Sequence, residues 1–416
     1  MLSVRGCGIE QSLDKSRRAQ NQYFVNLSDN GSLELRPVIM NTCVTLVKDS
    51  LNIAEFEDNE DTPALAVARY KEVETLGKIL KNLTRKYKMI QKEPSKALCR
   101  FLFSSKLAQI DKKTSDPLLP FLRDDEYYDR SICYELNDDP AYARLVCKKL
   151  CIASRDAVIR LKKVKETPSL SMVDITQYNG KWMVSWGKES IIIEDRLLKR
   201  LQNMYCSTFK MTDTALLDQN FNRRLFCLLI RYQSLGGQDN MTTKGGCFHE
   251  ASKLFSSVTW SAFTDLKVTK ECTASPFNSS ATTFWSAFAD TDCFFGSKGN
   301  FFDASDTELR EGGSFMADGP PVEETLELLE RRIHAILGRN TNPTSFVVGY
   351  PPWRDMDCWK NLKQSKYLVF HLDNCTVDHF GHMSLFILQN ENGKKQWPVT
   401  EAIQMKLISS LGTKYN

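Results

Sequence analysis

The sequence lacks long apolar segments. Its fully apolar runs are short, such as the stretch from Leu225 to Ile230, whereas a membrane-spanning helix needs ~20 consecutive apolar residues. The first residues, MLSVRGCGIEQ, do not contain the apolar core of a signal peptide. These absences argue against a membrane partner and against secretion, so we expect an intracellular protein.

The sequence also lacks closely paired cysteines. Its 13 cysteines are scattered and form no Cys-x-x-Cys pair, which favours free thiols in a reducing compartment over a disulfide framework. The one mixed cluster contains Cys375, His379 and His382. A structural zinc site needs a fourth ligand, and none is evident nearby. We therefore expect no metal.

Several catalytic motifs and a strong excess of charge are missing as well. The sequence has no GxGxxG or Walker loop and no GxSxG elbow, so it supports neither a nucleoside triphosphatase nor a serine hydrolase. The net charge is only +4, so a nucleic-acid surface would have to be local.

Local basic segments do exist. One extends from Lys78 to Lys88 and another from Lys148 to Lys165. In the second segment, Arg160 and Lys163 are candidates for contacts with RNA phosphates. A solvated helix surface is the more common explanation for the same pattern, and both interpretations are open.

The pattern of apolar residues divides the chain into three parts. Residues 1–30 are polar and predict a flexible N-terminus. Residues 31–205 show mainly helical spacing, with two strands predicted in KWMVSWGKESIII from Lys181. Residues 206–416 alternate strands with helices, which predicts an α/β domain with an open, mostly parallel sheet.

Within this α/β part, individual elements can be placed. Five strands are predicted, at Leu266–Ala274, Gly313–Ala317, Ser345–Tyr350, Tyr367–Leu372 and Met383–Leu388, the last two as a hairpin. Helices are predicted at Thr282–Phe288 and Val322–Leu337. A doubly wound sheet binds its ligand beyond the carboxyl ends of the strands. The segments ASPFN (residues 274–278) and DGPP (residues 318–321) are predicted to lie there.

The DGPP segment suits one demanding reaction. The lone pair of an exocyclic adenine amine is delocalised into the ring, so an enzyme helps by accepting hydrogen bonds from the amine and aligning it with a methyl donor. Asp318 can accept one N–H, and a backbone carbonyl near Gly319 or Pro320 can accept the other. Pro320 and Pro321 would hold the turn rigid. Alone, however, these four residues are common loop punctuation.

A wider resemblance gives this segment its context. The second half of the chain resembles the phosphorylated-CTD-interacting-factor family, the cap-specific adenosine N6-methyltransferases. The matching segments, in family order, are FNRRLFCLLIRYQSLGG from Phe221, ECTASPFN from Glu271, SAFADTDCFFGSKG from Ser286, GGSFMADGPPVEE from Gly312, TSFVVGYPPWRD from Thr344, and LFILQN with KQWPVT near the end. Together they span nearly all of residues 221–400.

The resemblance implies a fold, a cofactor and a substrate. The fold is α/β, with a class I (Rossmann-like) methyltransferase domain beside an N-terminal, mainly helical domain. The cofactor is S-adenosylmethionine, and the substrate is capped RNA beginning with adenosine, which favours a nuclear location. The family's best-known members also carry a WW module. The earliest tryptophan here is Trp182, so we expect this module to be missing.

The resemblance also assigns residues to the cofactor. In the turn from Ala274 to Asn278, Ser275 and Asn278 would hydrogen-bond the cofactor, while Pro276 and Phe277 would shape the turn. Phe295 and Gly296 either line the same pocket or belong to a packed, irregular loop.

The cap candidates follow later strands. Trp353 could stack on adenine or on 7-methylguanine, whose cationic ring favours aromatic partners, or it could anchor the core. Arg354 and Lys298 are candidates for contacts with the cap triphosphate.

This chain departs from the family at its catalytic motif, which reads Asn-Pro-Pro-Phe. Without gaps, the aligned residues here are Asp318, Gly319, Pro320 and Pro321. Asp318 keeps an acceptor oxygen, whereas the aromatic residue that stacks on the base, a contact worth ~1–3 kcal/mol, is lost. Two interpretations are open: a non-catalytic cap-binding or scaffold protein, or an enzyme with room to add a second methyl group. Shifting the alignment by one residue would remove the acceptor, and we prefer the gapless alignment.

Overall fold

The computed structural model describes residues 61–86, 98, 101–102, 116–121, 140–164, 172–236, 257–319, 322–377 and 381–412. The predictions for residues 1–30, for Pro320 and Pro321, and for His379 lie outside these ranges. Within the described ranges, no helix is both long enough and apolar enough to cross a bilayer.

The N-terminal part is mainly helical, with one small sheet. Helices α1 (Pro63–Lys86) and α2 (Pro140–Leu161) pack against each other. Strands β1 (Asp174–Tyr178), β2 (Lys181–Trp186) and β3 (Glu189–Ile193) form an antiparallel sheet in that order. The predicted strand pair is β2 and β3, whereas β1 escaped prediction because its residues are almost all exposed and show no apolar alternation.

Two further helices complete this part. Helix α3 (Asp195–Phe209) runs across residue 205, the predicted domain boundary, and the boundaries themselves stay predictions. Helix α4 (Gln219–Gly236) contains the short apolar run from Leu225 to Ile230, and all residues of this run are buried. Six consecutive buried residues cover every side of a helix, so this stretch lies in the interior, and α4 packs against α1 inside the larger core.

The remaining elements belong to the sheet domain. In chain order they are α5 (Ser257–Asp265), β4 (Val268–Ala274), β5 (Thr283–Ser286), α6 (Ala289–Asp292), α7 (Asp306–Arg310), β6 (Gly313–Ala317), α8 (Glu323–Arg339), β7 (Thr344–Tyr350), α9 (Asp357–Lys363), β8 (Leu368–Val377), β9 (Gly381–Gln389), α10 (Glu391–Gln396) and α11 (Glu401–Leu411). Short 3₁₀ turns occur at Thr214–Leu216, Cys293–Phe295 and Phe301–Asp303.

The strands form one six-stranded sheet in the order β5-β4-β6-β7-β9-β8. Strands β5, β4, β6 and β7 are parallel, whereas β9 runs antiparallel to both β7 and β8. The predicted closing hairpin is therefore confirmed, and its second strand lies between β7 and β8. The predicted α/β fold class, a Rossmann-like sheet with a mainly helical N-terminal part, is also confirmed.

One predicted helix is wrong. The segment Thr282–Phe288 contains strand β5, and the helical turn α6 begins only at Ala289. Phe284, Trp285 and Ser286 are consecutive and all buried. A short run that is buried on both faces has no periodicity to separate a strand from a helix, and β5 carries the aromatic residues that favour strands.

Helices cover both faces of the sheet. On one face, Phe315 and Phe346 pack against Leu326 and Ile333 of α8. On the other, residues of α5 and α11 form a separate apolar cluster with Met316 of β6. Both faces of the central strands are therefore buried, as expected for parallel strands.

A buried ionic network connects the helical part to the sheet domain. The Arg231 guanidinium on α4 lies 2.9 Å from Asp61 and 2.6 Å from Asp290, which follows β5. Asp61 also accepts from Arg69 at 2.7 Å, and Arg69 pairs with Asp116 at 2.8 Å. The Arg231 side chain is 1% exposed and that of Asp61 is 2% exposed. Removing one member of such a network leaves its partners buried and uncompensated.

We expect Arg231→Met to lower the free energy of unfolding by ~3–5 kcal/mol, because it leaves Asp61 and Asp290 without their shared cation. Arg160→Met is the matched control. Arg160 is 55% exposed in its pair with Glu72, and its loss should cost at most ~1 kcal/mol. Denaturant unfolding measures both. Equal costs for the two variants would contradict this account of the network.

Candidate functional site

The order of the strands locates a ligand crevice. From β4 the chain moves outward to β5, and it then returns to β6 on the other side of β4 before continuing to β7. Ligands of such sheets bind beyond the carboxyl ends of the strands where the order reverses. Strand β4 ends at Ala274 and β6 ends at Ala317. The turn Ala274–Asn278 and the pair Asp318–Gly319 therefore flank one crevice.

The turn after β4 is closed by its own side chains. The Ser275 backbone N–H and hydroxyl both donate to Oδ1 of Asn278, at 2.8 and 3.1 Å. The Phe277 N–H donates to the Ser275 hydroxyl at 3.3 Å. Ser275 and Pro276 are buried. Ser275 and Asn278 thus shape the turn, together with Pro276 and Phe277, and the contacts of all four with a cofactor stay predictions.

The helical part supports this turn from outside. Nε of Arg200, on α3, donates to the Pro276 carbonyl at 2.9 Å. The Nη2 group of Arg200 donates to the Ser279 hydroxyl at 2.9 Å and to the Ser279 carbonyl. The Phe277 ring packs edge-on against Tyr232 of α4, with 4.8 Å between centroids.

Glu271 lies beneath the same turn. This residue of β4 is 3% exposed, and both of its carboxyl oxygens accept from the Ser280 N–H at 3.1 Å. Burial raises the pKa of Glu271 to about 7, although the Ser280 N–H and the nearby Arg200 charge act in the opposite direction. The group therefore titrates close to neutrality.

Asp318 stands at the other side of the crevice. A Cβ placed on Gly349 of β7 would lie 3.5 Å from the Asp318 Cβ and 2.6 Å from Cε of Met383, so the glycine lets the Met383 side chain pack against β7 next to Asp318. Burial, with a smaller contribution from Glu271, raises the pKa of Asp318 well above its usual range. A neutral carboxyl group keeps an acceptor oxygen and gains a donor, so it resembles the amide of the family's asparagine.

The segment after β7 lies at the same edge of the sheet. Trp353 is partly buried and packs on the core formed with α8 and α9, which favours its anchoring role. Arg354 lies 2.6 Å from Asp373 of β8. Asp373 in turn accepts from the Ser384 hydroxyl at 2.8 Å. This pairing fastens the segment to the hairpin, and the contacts of Trp353 and Arg354 with a cap stay predictions.

The segment after β5 lies farther from the crevice, beside the edge strand of the sheet. Phe295 is fully buried and packs against Tyr205 of α3 and Phe221 of α4, which favours the packed-loop alternative. Gly296 ends the 3₁₀ turn with φ of 90°. Lys298 runs beside edge strand β5, and its N–H donates to the Phe284 carbonyl at 2.8 Å. The structure thus places Lys298 at the outer edge of the sheet.

The two basic candidates of the helical part are at the end of α2. Arg160 makes two hydrogen bonds to Glu72 of α1, at 2.7 and 2.8 Å, and therefore joins the two helices. Lys163 is exposed just after α2. Their contact with RNA stays a prediction.

Sequence reasoning missed three residues of the site. Arg200 and Tyr232 reach the turn only through tertiary packing, and nothing in their local sequence marks them. Glu271 did carry a signal, because a charged residue inside a predicted buried strand needs a partner.

The strand order and its switch-point crevice define a Rossmann-like fold of the class I methyltransferase type. A sequence profile described as "Phosphorylated CTD interacting factor 1 WW domain" matches residues 200–383. Over these residues the chain is similar to the phosphorylated-CTD-interacting-factor family. The matched residues run from α3 into β9, which are elements of the fold described above. The match therefore does not test the expected absence of a separate WW module, which stays a prediction.

Two relatives are named mRNA (2'-O-methyladenosine-N(6)-)-methyltransferase. The human protein is 26% identical over 263 residues, which make up 57% of this chain and 35% of that protein. The mouse protein is 28% identical over 192 residues, which make up 45% of this chain and 25% of that protein. The aligned part thus spans 35% or less of either relative.

We expect Glu271→Gln to change how stability depends on pH. The folded protein holds the Glu271 proton more tightly than the unfolded chain, so the contribution of Glu271 to stability falls as pH rises from 4.5 to about 7 and is then constant. Between about pH 5 and about pH 8, the variant should lose ~2 kcal/mol less unfolding free energy than the wild type.

Urea unfolding at the two pH values measures this difference. Glu401→Gln, at the exposed start of α11, is the control and should behave as the wild type. A Glu271→Gln protein with the wild-type pH dependence would show that Glu271 does not titrate as described.

Proposed function

We propose that this protein transfers a methyl group from S-adenosylmethionine to the N6 amine of the first transcribed adenosine, beside an mRNA cap. The proposal rests on the position of Asp318, which follows β6 and lies across the switch-point crevice from the turn Ala274–Asn278. The names of the relatives, which specify adenosine N6 methylation, agree with it.

The turn after β4 suits the cofactor. It is tight and is closed by hydrogen bonds within Ser275–Asn278. S-adenosylmethionine would supply an electrophilic methyl group on sulfonium. The protein's task is then to orient the amine toward that methyl group and to exclude water.

Asp318 would orient the amine. Its carbonyl oxygen accepts one amine N–H, and a backbone carbonyl near Gly319 or Pro320 accepts the other. These two bonds direct the nitrogen lone pair out of the ring plane as the new bond forms, which is stabilisation aimed at the transition state. The partly buried Trp353, at the same edge, would support the base or the cap guanine.

Capped RNA beginning with adenosine is the proposed partner, and an mRNA cap substrate favours a nuclear location. The second candidate function is non-catalytic cap binding or scaffolding. It is supported by the change of the family motif to Asp318-Gly319-Pro320-Pro321, which removes the stacking aromatic residue.

We expect Asp318→Ala to lower kcat/KM for methylation of capped RNA by ~10²–10³-fold, the usual effect of losing one preorganised transition-state hydrogen bond. Asp318→Asn keeps the acceptor oxygen and should stay within ~10-fold of the wild type. Mass spectrometry of a capped oligonucleotide that begins with adenosine measures the product.

Asp357→Ala is the control, because Asp357 is 93% exposed at the start of α9. If the wild type binds both S-adenosylmethionine and capped RNA but transfers no methyl group, the non-catalytic function replaces the proposed one. An uncapped oligonucleotide tests whether the cap is required.

We also propose that the reaction continues to N6,N6-dimethyladenosine, because proline and glycine replace bulkier residues of the family motif. Exhaustive reaction should yield dimethyladenosine, and Pro321→Phe, which restores the aromatic residue, should shift the product toward monomethyladenosine. The mass of the released nucleoside distinguishes the two. Monomethyladenosine alone from the wild type would exclude dimethylation.

A further inference from the structure

We propose that Arg200 of helix α3 is a positioning residue for the methyl donor, holding the turn Ala274–Ser279 in the conformation that binds it. The inference rests on the proposed function, since it takes this turn as the cofactor site. It makes methyl-donor affinity depend on a helix outside the sheet domain.

The need for such support follows from the connection between β4 and β5. Parallel neighbours are usually joined by a crossover of a dozen or more residues, most often a helix. Here residues 275–282 make the connection and contain no helix. The turn therefore has no helix of its own behind it, and helices from the N-terminal part occupy that place.

Arg200 supplies the missing support with directional bonds. Its guanidinium donates to two backbone carbonyls, those of Pro276 and Ser279, and to the Ser279 hydroxyl. A planar guanidinium holds its acceptors in a fixed relative geometry, so the start and the end of the turn are set by one rigid group. An apolar side chain in this place could fill space but could not set these positions.

The Glu271 carboxyl group, in the strand before the turn, also favours this position of the Arg200 guanidinium. Glu271 accepts from the N–H of Ser280, next to the residue that Arg200 binds. Burial lowers the pKa of Arg200, and the negative charge of Glu271 opposes that effect. Arg200 and Glu271 therefore bracket the end of the turn at Ser279–Ser280.

The experiment compares three variants of the full chain by calorimetric titration with S-adenosylmethionine. Arg200→Met removes all the donors, whereas Arg200→Lys keeps the charge but loses the planar guanidinium that donates to several acceptors at once. Lys199→Met removes a neighbouring charge that is 69% exposed in its pair with Asp195. We expect Arg200→Met to raise the Kd for S-adenosylmethionine by ~10-fold or more. Arg200→Lys should lie between this variant and the wild type, and Lys199→Met should match the wild type.

Kinetics separates positioning from a general loss of structure. We expect KM for S-adenosylmethionine to rise more than kcat falls, while the Kd for capped RNA stays within ~2-fold of the wild-type value. If Arg200→Met does not fold, the comparison uses Arg200→Lys and Ser279→Ala, which removes one acceptor. Both should weaken S-adenosylmethionine binding without weakening RNA binding.

The outcomes are distinct. Unchanged S-adenosylmethionine affinity in the folded Arg200 variants would overturn the positioning role, and so would a parallel loss of donor and RNA affinity. If the wild type itself does not bind S-adenosylmethionine, the proposed function is wrong, and the role of Arg200 is wrong with it.

Discussion

The buried Arg231 guanidinium is the interaction on which the rest of the structure depends. It binds Asp61, ahead of α1, and Asp290, after β5, and so ties the helical part to the sheet domain. The Asp61 carboxylate is 2% exposed and cannot be solvated, whereas Asp290 is 21% exposed, so loss of Arg231 leaves at least Asp61 with a buried charge that one cation fewer compensates. The next residue, Tyr232, donates to Asp292 at 2.7 Å and packs on Phe277. Helix α4 thereby positions the segments after both β4 and β5.

This architecture gives the helical part a role beyond covering the sheet. The loops on the β4–β5 side of the crevice are anchored by α3 and α4, through Arg200 and Arg231. On the other side, Asp318 directly follows β6 and lies beside Gly349 of β7, and Arg354 pairs with Asp373 of the hairpin. A rigid frame on both sides of a crevice is what alignment of a methyl donor with a weak nucleophile requires.

Much of this fold could be predicted because its signals are local. Strand β6 was predicted with its observed bounds, and the closing hairpin followed from two apolar runs without a helix between them. Strands β1 and β5 were missed, since one is nearly all exposed and the other is buried on both faces, so neither alternates. The two segments that flank the crevice were placed there from the ends of the predicted strands, and the resemblance assigned their roles. The pairings Arg200–Ser279, Arg354–Asp373 and Arg160–Glu72 join residues distant in sequence, which local patterns cannot reveal.

The proposed function requires the crevice between β4 and β6 to bind the methyl donor. Hydrogen exchange of the full chain, with and without S-adenosylmethionine, tests it most directly. We expect the donor to slow exchange in the turn Ala274–Ser280 and at Asp318–Gly319, on both sides of the crevice. Unchanged exchange in these two segments under saturating donor, or protection confined to other parts of the chain, would contradict it.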